Sequence, residues 1–308
     1  MRCLVTGASG FLGSHLVRQL LVEGHEVIAL MRVSSQTPRV GDWIDQVKVV
    51  RGSLEDVPAI SLKLADDSFD VCFHLAWFGV TAEYRNDPAQ IATNVAGTLN
   101  LWKLARERGC QHWVGLGSQA EYGPSDTVLH ENLVPRPATA YGVAKLASGM
   151  LTEKMSEMAG MLHTWVRLLA VYGPGDDPKH LIPSVIETLL AGSRPALTKG
   201  EQRWDYLYVV DAATALCRIA ETQAVGTMNL ACGETVILRD LITRIRDMVD
   251  PRLPLGLGEI PYRNDQVMHL EADITKLCTA TGWKPHTSLE EGLRRTVEWF
   301  RNEYSHAK

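Results

Sequence analysis

Along the first half of the chain, short runs of consecutive apolar residues alternate with stretches in which apolar residues recur every three or four positions. Cys3-Leu4-Val5 opens the series behind a single charged residue, Arg2. Phe11, Leu12, Leu16, Val17, Leu20 and Leu21 follow at helical spacing and stop at Gly24; Val27-Ile28-Ala29-Leu30 reads as a second buried strand. The polar residues 32–41, with Ser34, Ser35 and Pro38, read as a loop. Val47-Lys48-Val49-Val50 and the continuous run from Val71 to Ala76 supply a third and a fourth strand. Residues 88–108 predict one long helix, with Ile91, Val95, Leu99, Leu101 and Leu104 inward and Gly109 at its end. His112-Trp113-Val114-Gly115-Leu116 is a fifth strand, residues 141–159 a second long helix and residues 164–169 a sixth strand. This alternation predicts an α/β fold, a Rossmann-type doubly wound parallel sheet.

After Tyr172 the pattern changes. Residues 172–178 are dense in turn formers, and the remainder reads as short helices mixed with loops. The last helix is clear: Ser288 and Glu291 form a capping box, and Leu289, Leu293, Val297 and Phe300 share one face. The expected organisation is a dinucleotide-binding lobe over 1–171 plus about 204–231, and a smaller mixed α/β substrate lobe over about 172–203 plus 232–308.

Composition narrows the class. The 308 residues are 45% hydrophobic and 22% charged, ordinary values for a globular chain with a substantial core. A net charge of −5 and a pI near 6.1 weigh against nucleic acid or an anionic membrane as partner. No apolar run approaches the ~20 residues of a membrane span, and with a strand expected from the first residues no signal peptide is read. The six cysteines are scattered without metal-type pairs and are expected reduced and mostly buried, in a cytoplasmic protein. The ten histidines show no ligand spacing, so no metal is expected.

Candidate chemistry begins at Thr6-Gly7-Ala8-Ser9-Gly10-Phe11-Leu12-Gly13, a G-x-x-G-x-x-G turn between strand and helix. Glycines let the backbone approach a pyrophosphate, and the N–H groups opening the helix hold its charge. Farther on, Tyr141 and Lys145 lie four residues apart on one helix face. An ammonium beside a phenol is expected to lower the phenol's pKa from ~10 and let it exchange a proton with a substrate oxygen. Ser118 follows the fifth strand directly, at the carboxyl end where open α/β sheets bind ligands, so its hydroxyl can hold that oxygen.

With these residues in place the chain resembles the extended short-chain dehydrogenase/reductases, specifically their nucleotide-sugar branch typified by UDP-galactose 4-epimerase. The likeness runs nearly end to end. It includes residues 6–13, His74-Leu75-Ala76, Asn94-Val95-Ala96-Gly97-Thr98, Ser118-Gln119-Ala120-Glu121-Tyr122-Gly123 and Tyr141–Lys145. Residues 171–175, 205–211, 272–276 and 282–285 extend it. The resemblance implies Ser118, Tyr141 and Lys145 as the catalytic trio, with Lys145 also on the nicotinamide ribose. It implies a cofactor held by Thr6, Gly7, Ser9, Gly10, Phe11, Leu12, Gly13, Arg32, Ser53, Leu54, Leu75, Ala76, Asn94, Tyr141 and Lys145. Glu121, Tyr122, Arg203 and Arg263 are expected on the nucleotide-diphosphate sugar. The two long helices are expected to pair into a homodimer, through Met150, Leu151, Met155 and Met158.

Departures from the family pattern select the reaction. Dehydratases of this branch carry Thr-Asp-Glu where Ser118-Gln119-Ala120 stands, and Gln119 and Ala120 supply neither the acid nor the base of an elimination. The second strand ends in Leu30-Met31-Arg32-Val33, with an arginine and no acid where NAD-specific members place an Asp. Guanidinium suits the 2′-phosphate of NADP. The expected activity is therefore NADPH-dependent reduction of a nucleotide-activated keto-deoxyhexose at C4, with Tyr141 donating the proton. An NAD-retaining 4-epimerase is the alternative; an NADP-sensing binding protein of the same fold is the non-enzymatic one. Ala170 and Trp204 stand where family members often carry Asn and Arg, and Ser53 replaces a frequent Asp at the adenine.

Overall fold

The computed structural model describes residues 1–35, 39–263 and 266–306. Pro38, assigned above to the loop, lies outside the described residues. The first unit runs β1 (Arg2–Thr6), α1 (Phe11–Val22), β2 (Glu26–Met31), β3 (Lys48–Arg51), α2 (Val57–Leu64) and β4 (Val71–His74). It continues through α3 (Ala96–Glu107), β5 (His112–Ser118), α4 (Ala140–Ala159) and β6 (Leu162–Leu168). The remainder comprises β7 (Ala170–Tyr172), α5 (Leu181–Leu190), β8 (Ala196–Leu197), β9 (Arg203–Tyr208), α6 (Val209–Glu221) and β10 (Gly226–Leu230). Then follow β11 (Thr235–Ile237), α7 (Leu238–Val249), β12 (Gly256–Leu257), β13 (His269–Leu270), α8 (Thr275–Thr281) and α9 (Leu289–His306).

Seven parallel strands form the main sheet in the order β10-β6-β5-β4-β1-β2-β3. The chain winds outward one way from β1 and the other way from β4, so a crevice opens at the carboxyl ends between these two strands. Continuous apolar runs serve this sheet because both faces are covered. Cys3 and Val5, Val27 and Ala29 pack under α1 and α6, whereas Leu4, Ile28 and Leu30 face the opposite layer with Ile60, Leu64, Leu101 and Trp102.

A smaller sheet has β9 at its centre, parallel to β7 and β13 and antiparallel to β11. It packs with α5, α7 and α9 around Tyr172, Ile186, Leu241, Leu293 and Phe300. Two features differ from the sequence reading. Before the expected last helix, the region after Tyr172 holds helices of 10, 13 and 12 residues rather than short ones. In α7 the charges Arg239, Asp240, Arg244, Arg246 and Asp247 mask an apolar stripe of Leu238, Leu241, Ile242 and Ile245. The chain also returns to the main sheet only at Val209, through α6 and β10, because β9 belongs to the smaller sheet.

The helix expected over 88–108 is divided. Residues Gln90–Val95 form a π-helical turn and α3 follows. Its wider turn directs the buried side chains of Gln90 and Asn94 toward the loop after β4. Among the described residues no helix is long and apolar enough to cross a membrane. All six cysteines are unpaired, four of them buried.

Burial holds three sheet histidines neutral, pushing His74 down to about 3 and His112 and His163 to about 4. Unfolded histidine takes a proton near pH ~6.5. The folded pKa values lie below the unfolded one, so this contribution is fully present above pH ~6.5 and is lost as pH falls toward about 4. The melting temperature should therefore decline across that window with proton uptake on unfolding; a flat profile there would contradict the buried neutral histidines.

Candidate active site

The glycine turn is fixed by backbone contact. Gly7 has φ +70°, and a Cβ on it would stand 2.9 Å from the Ala76 nitrogen. A Cβ on Gly13 would stand 2.1 Å from the Gly7 carbonyl oxygen, so α1 abuts the turn only because Gly13 lacks one. The Gly10 N–H donates to that carbonyl at 2.9 Å. No side chain caps α1, and its ladder starts with Ser14 N–H to Gly10 O at 3.0 Å. The N–H groups of Phe11, Leu12 and Gly13 therefore head the helix ahead of that first bond, beside half-buried Ser9. A cradle that a Cβ would fill, at an uncapped helix start, fits a dinucleotide pyrophosphate.

Thr6 and Asn94 act one layer back from this cradle. The Thr6 hydroxyl accepts the Ala76 N–H at 3.1 Å and bonds His74 Nδ1 at 3.0 Å, and His74 Nε2 bonds Thr98 Oγ1 at 2.8 Å. The Asn94 carboxamide accepts Phe78 N–H at 2.8 Å and donates to Phe78 O at 3.0 Å. Both side chains hold the loop that carries half-buried Leu75 and Ala76. Gly97 leaves room for Leu54, and the Ser53 hydroxyl accepts the Glu55 N–H at 3.3 Å. Arg32 is exposed at the end of β2; its carbonyl accepts from Arg51 at 3.2 Å, which brings a second guanidinium to this corner.

The trio converges. Ser118 ends β5; its hydroxyl accepts the Ala120 N–H at 3.2 Å, and its side chain is close enough to the Tyr141 phenol to favour ionisation of it. Tyr141 stands in the first turn of α4, which Thr139 caps through the Gly142 N–H at 3.1 Å. One turn later, buried Lys145 donates from Nζ to Leu116 O at 2.6 Å. That ammonium lies 3.7 Å over the Trp77 ring and 5.9 Å from the Tyr141 ring centre, and Trp77 meets Tyr141 edge-on. Trp77 is anchored by its indole N–H on Gln90 Oε1 at 2.9 Å. The sequence reading passed over Trp77, Gln90 and Arg51; the only available signal for Trp77 was an aromatic residue directly after His74-Leu75-Ala76.

A model of the NAD dependent epimerase/dehydratase family matches residues 3–231. The chain belongs to this family. It is 31% identical to the UDP-glucose 4-epimerase of Mycolicibacterium smegmatis, over 98% of this chain and 99% of that one. It is 28% identical to dTDP-glucose 4,6-dehydratase 1 of Escherichia coli, over 97% of this chain and 92% of the relative. A crystal structure of UDP-glucose 4-epimerase from Thermotoga maritima with UDP-glucose superposes with a TM-score of 0.89 at 28% identity, covering 99% and 100% of the two chains. The Rossmann-like fold and a nucleotide-sugar epimerase/dehydratase enzyme class follow.

Within this family member the electrostatics depart from the sequence reading. Tyr141 is pushed up, not down: burial leads, Glu121 adds to it, and the Ser118 side chain and Arg85 oppose it. Lys145 falls to about 7, because burial outweighs the Glu121 carboxylate. An ammonium that is half neutral near pH 7 and committed to Leu116 lends the phenol little positive charge.

The expected sugar contacts are placed unequally. Glu121 is fully buried, accepting from Ser118 N–H at 2.8 Å, Trp165 Nε1 at 2.9 Å and Arg167 Nε at 2.8 Å. Tyr122 is buried too; its hydroxyl donates to Asn229 Oδ1 at 2.6 Å and its ring faces Arg167. These partners give both residues structural tasks in place of the contact anticipated for them. Arg203 opens β9 and Arg263 follows Tyr262, both exposed on the smaller lobe. Trp204 is occupied by Val267 O at 2.9 Å. Away from the crevice, among the described residues, His25, Cys217 and Glu221 cluster within ligand distance of one another, with Glu221 already paired to Arg218 at 2.7 Å.

Gly13→Ala tests the cradle. The methyl has nowhere to go but into the Gly7 carbonyl, so dinucleotide affinity by calorimetry should fall at least about tenfold, ~1.4 kcal/mol. Unchanged affinity would show that α1 does not need this approach.

Proposed function

We propose that this family member is an NADPH-dependent reductase of a nucleotide-activated keto-deoxyhexose, converting a 4-keto group to a 4-hydroxyl. The observation that carries the reading is the cofactor corner at the ends of β2 and β3, where Arg32 and Arg51 meet and β2 gives way to arginine rather than a carboxylate. A bound nicotinamide dinucleotide supplies the hydride. Ser118 holds the carbonyl oxygen, and Tyr141 gives that oxygen its phenolic proton. A phenol whose pKa is raised is protonated at neutral pH, which suits a donor better than a base. Lys145, near pH 7 in its titration, replaces the proton and steadies the ribose. Gln119 and Ala120 bring no acid or base to the turn after Ser118, which argues against dehydration.

The nucleotide-diphosphate sugar is assigned to the smaller lobe, with Arg203 and Arg263 as candidate cations for the diphosphate. The two-lobe division and the cofactor contacts read from the sequence stand as part of the same proposal, with Thr6 and Asn94 as supports behind the cofactor. A second reading, an NAD-retaining 4-epimerase, is favoured by what the relatives of known activity are named for, UDP-glucose 4-epimerase among them. A cofactor-sensing binding protein would not require Ser118, Tyr141 and Lys145 to converge.

Titration with NADPH and with NADH separates the enzymatic readings. A preference for NADPH of about tenfold or more that collapses in Arg32→Asp supports the reductase; tight NAD that copurifies, with no preference, moves the epimerase to first place. The homodimer proposal rests on α4, where Met150, Leu151 and Met158 are exposed, whereas Met155 packs on its own core. Sedimentation at micromolar concentration should show a dimer, weakened in Met150→Lys; a monomer would remove it.

A further inference from the structure

Below the Ser118 turn lies a buried ion pair for which the chemistry described so far has no use. Glu121 and Arg167 are 0% and 5% exposed and pair at 2.8 Å. Isolated buried pairs rarely add stability, because both charges lose their water. This one is surrounded by deliberate accommodation. Its carboxylate also takes the Trp165 indole N–H, and Trp165 fits only because three neighbours are glycine. A Cβ on Gly115, Gly117 or Gly149 would lie 2.4, 2.4 or 2.7 Å from the indole. A Cβ on Gly117 would also meet the Glu121 carboxylate at 2.4 Å. Side chains are thus missing from β5 and α4 where Trp165 and Glu121 enter.

The carboxylate reaches the reacting groups in two ways. Mechanically, it takes the Ser118 N–H while the Ser118 hydroxyl takes the Ala120 N–H, closing the turn from both ends and fixing where the hydroxyl points. Electrostatically, its charge bears on both Tyr141 and Lys145, opposing ionisation of the phenol and favouring the ammonium. The other charges around these groups come from each packed element. The loop after β4 brings Arg85, whose carbonyl takes the Tyr141 N–H at 2.8 Å; β4 brings neutral His74; β6 brings Arg167. Glu131 stands beyond Tyr122, engaged by the Asn229 N–H at 2.9 Å.

We propose that the Glu121–Arg167 pair is a positioning device that fixes the Ser118 turn and sets the balance of charge behind Ser118 and Tyr141. The inference rests on Tyr141 being the donor in the reaction proposed above. Neutralising Glu121 leaves Arg167 as an unbalanced cation behind Ser118, so Tyr141 ionises at lower pH. Removing Arg167 alone leaves the carboxylate unbalanced and moves the phenol the other way.

The test follows the Tyr141 titration by NMR of isotope-labelled tyrosine in the full chain, assigned by its loss in Tyr141→Phe, beside the pH profile of keto-sugar reduction. Glu121→Gln should lower the Tyr141 midpoint by about one pH unit or more and pull the alkaline limb of turnover down with it. Arg167→Met should raise the midpoint, and the double variant, which restores neutrality and folds without a lone buried charge, should return it toward wild type. Glu121→Asp, which keeps the charge, should follow wild type. A lower melting temperature with an unmoved Tyr141 titration in Glu121→Gln and in the double variant would make the pair merely structural and overturn the inference. Full turnover in Tyr141→Phe would instead sink the donor assignment, and the NMR midpoints would still show whether the pair sets the phenol's charge.

Discussion

The contact between the Gly7 carbonyl and the first turn of α1 at Gly13 is the constraint on which the rest of this structure depends. It sets how closely α1 lies against β1, and α1 in turn packs on α6, the helix that returns the chain to the main sheet. On its other side Gly7 presses against Ala76, whose N–H is taken by Thr6. The loop so held carries Trp77 onto Lys145, and Lys145 reaches back to β5. A close backbone approach thus connects the glycine turn to the trio of Ser118, Tyr141 and Lys145 through packed, hydrogen-bonded neighbours.

Burial dominates the charges of that trio. In water an ammonium four residues along a helix would ease ionisation of a phenol; here Lys145 is buried and Tyr141 half-buried, and each is driven toward its neutral form. The outcome is a protonated tyrosine next to a lysine poised to change charge near neutrality. Under the reductase reading proposed above, that combination suits giving a proton to a developing alkoxide.

Much of this was legible in the chain because the signals were local or steric. Strands buried on both faces announce themselves as unbroken apolar runs, and the glycine turn is a requirement of space that no other residue meets. Ser118, Tyr141 and Lys145 could be grouped because each sits at a strand end or helix start whose position follows from the alternation. Glu121 could not be placed, since its neighbours along the chain say nothing of Arg167 and Trp165, which arrive from β6 more than forty residues later. The π-helical turn at Gln90–Val95 escaped for a related reason: its apolar spacing matches a helix, and only the inward bonds of Gln90 and Asn94 reveal the wider turn. In α7 the surface charges outnumbered the stripe that the smaller core uses.

The buried polar groups beneath the crevice bear on function because stability alone does not account for them. An apolar pair of the same volume could replace Glu121 and Arg167 without the cost of desolvating two charges, and larger residues could fill β5 and α4 if Trp165 were absent. Instead Gly115, Gly117 and Gly149 clear the space, and Arg167 is held with one buried nitrogen that finds no partner. Spending packing and hydrogen bonding in this way is reasonable only where a fixed charge must stand beneath a hydroxyl and a phenol. That requirement arises at the end of β5, where Ser118 and Tyr141 meet.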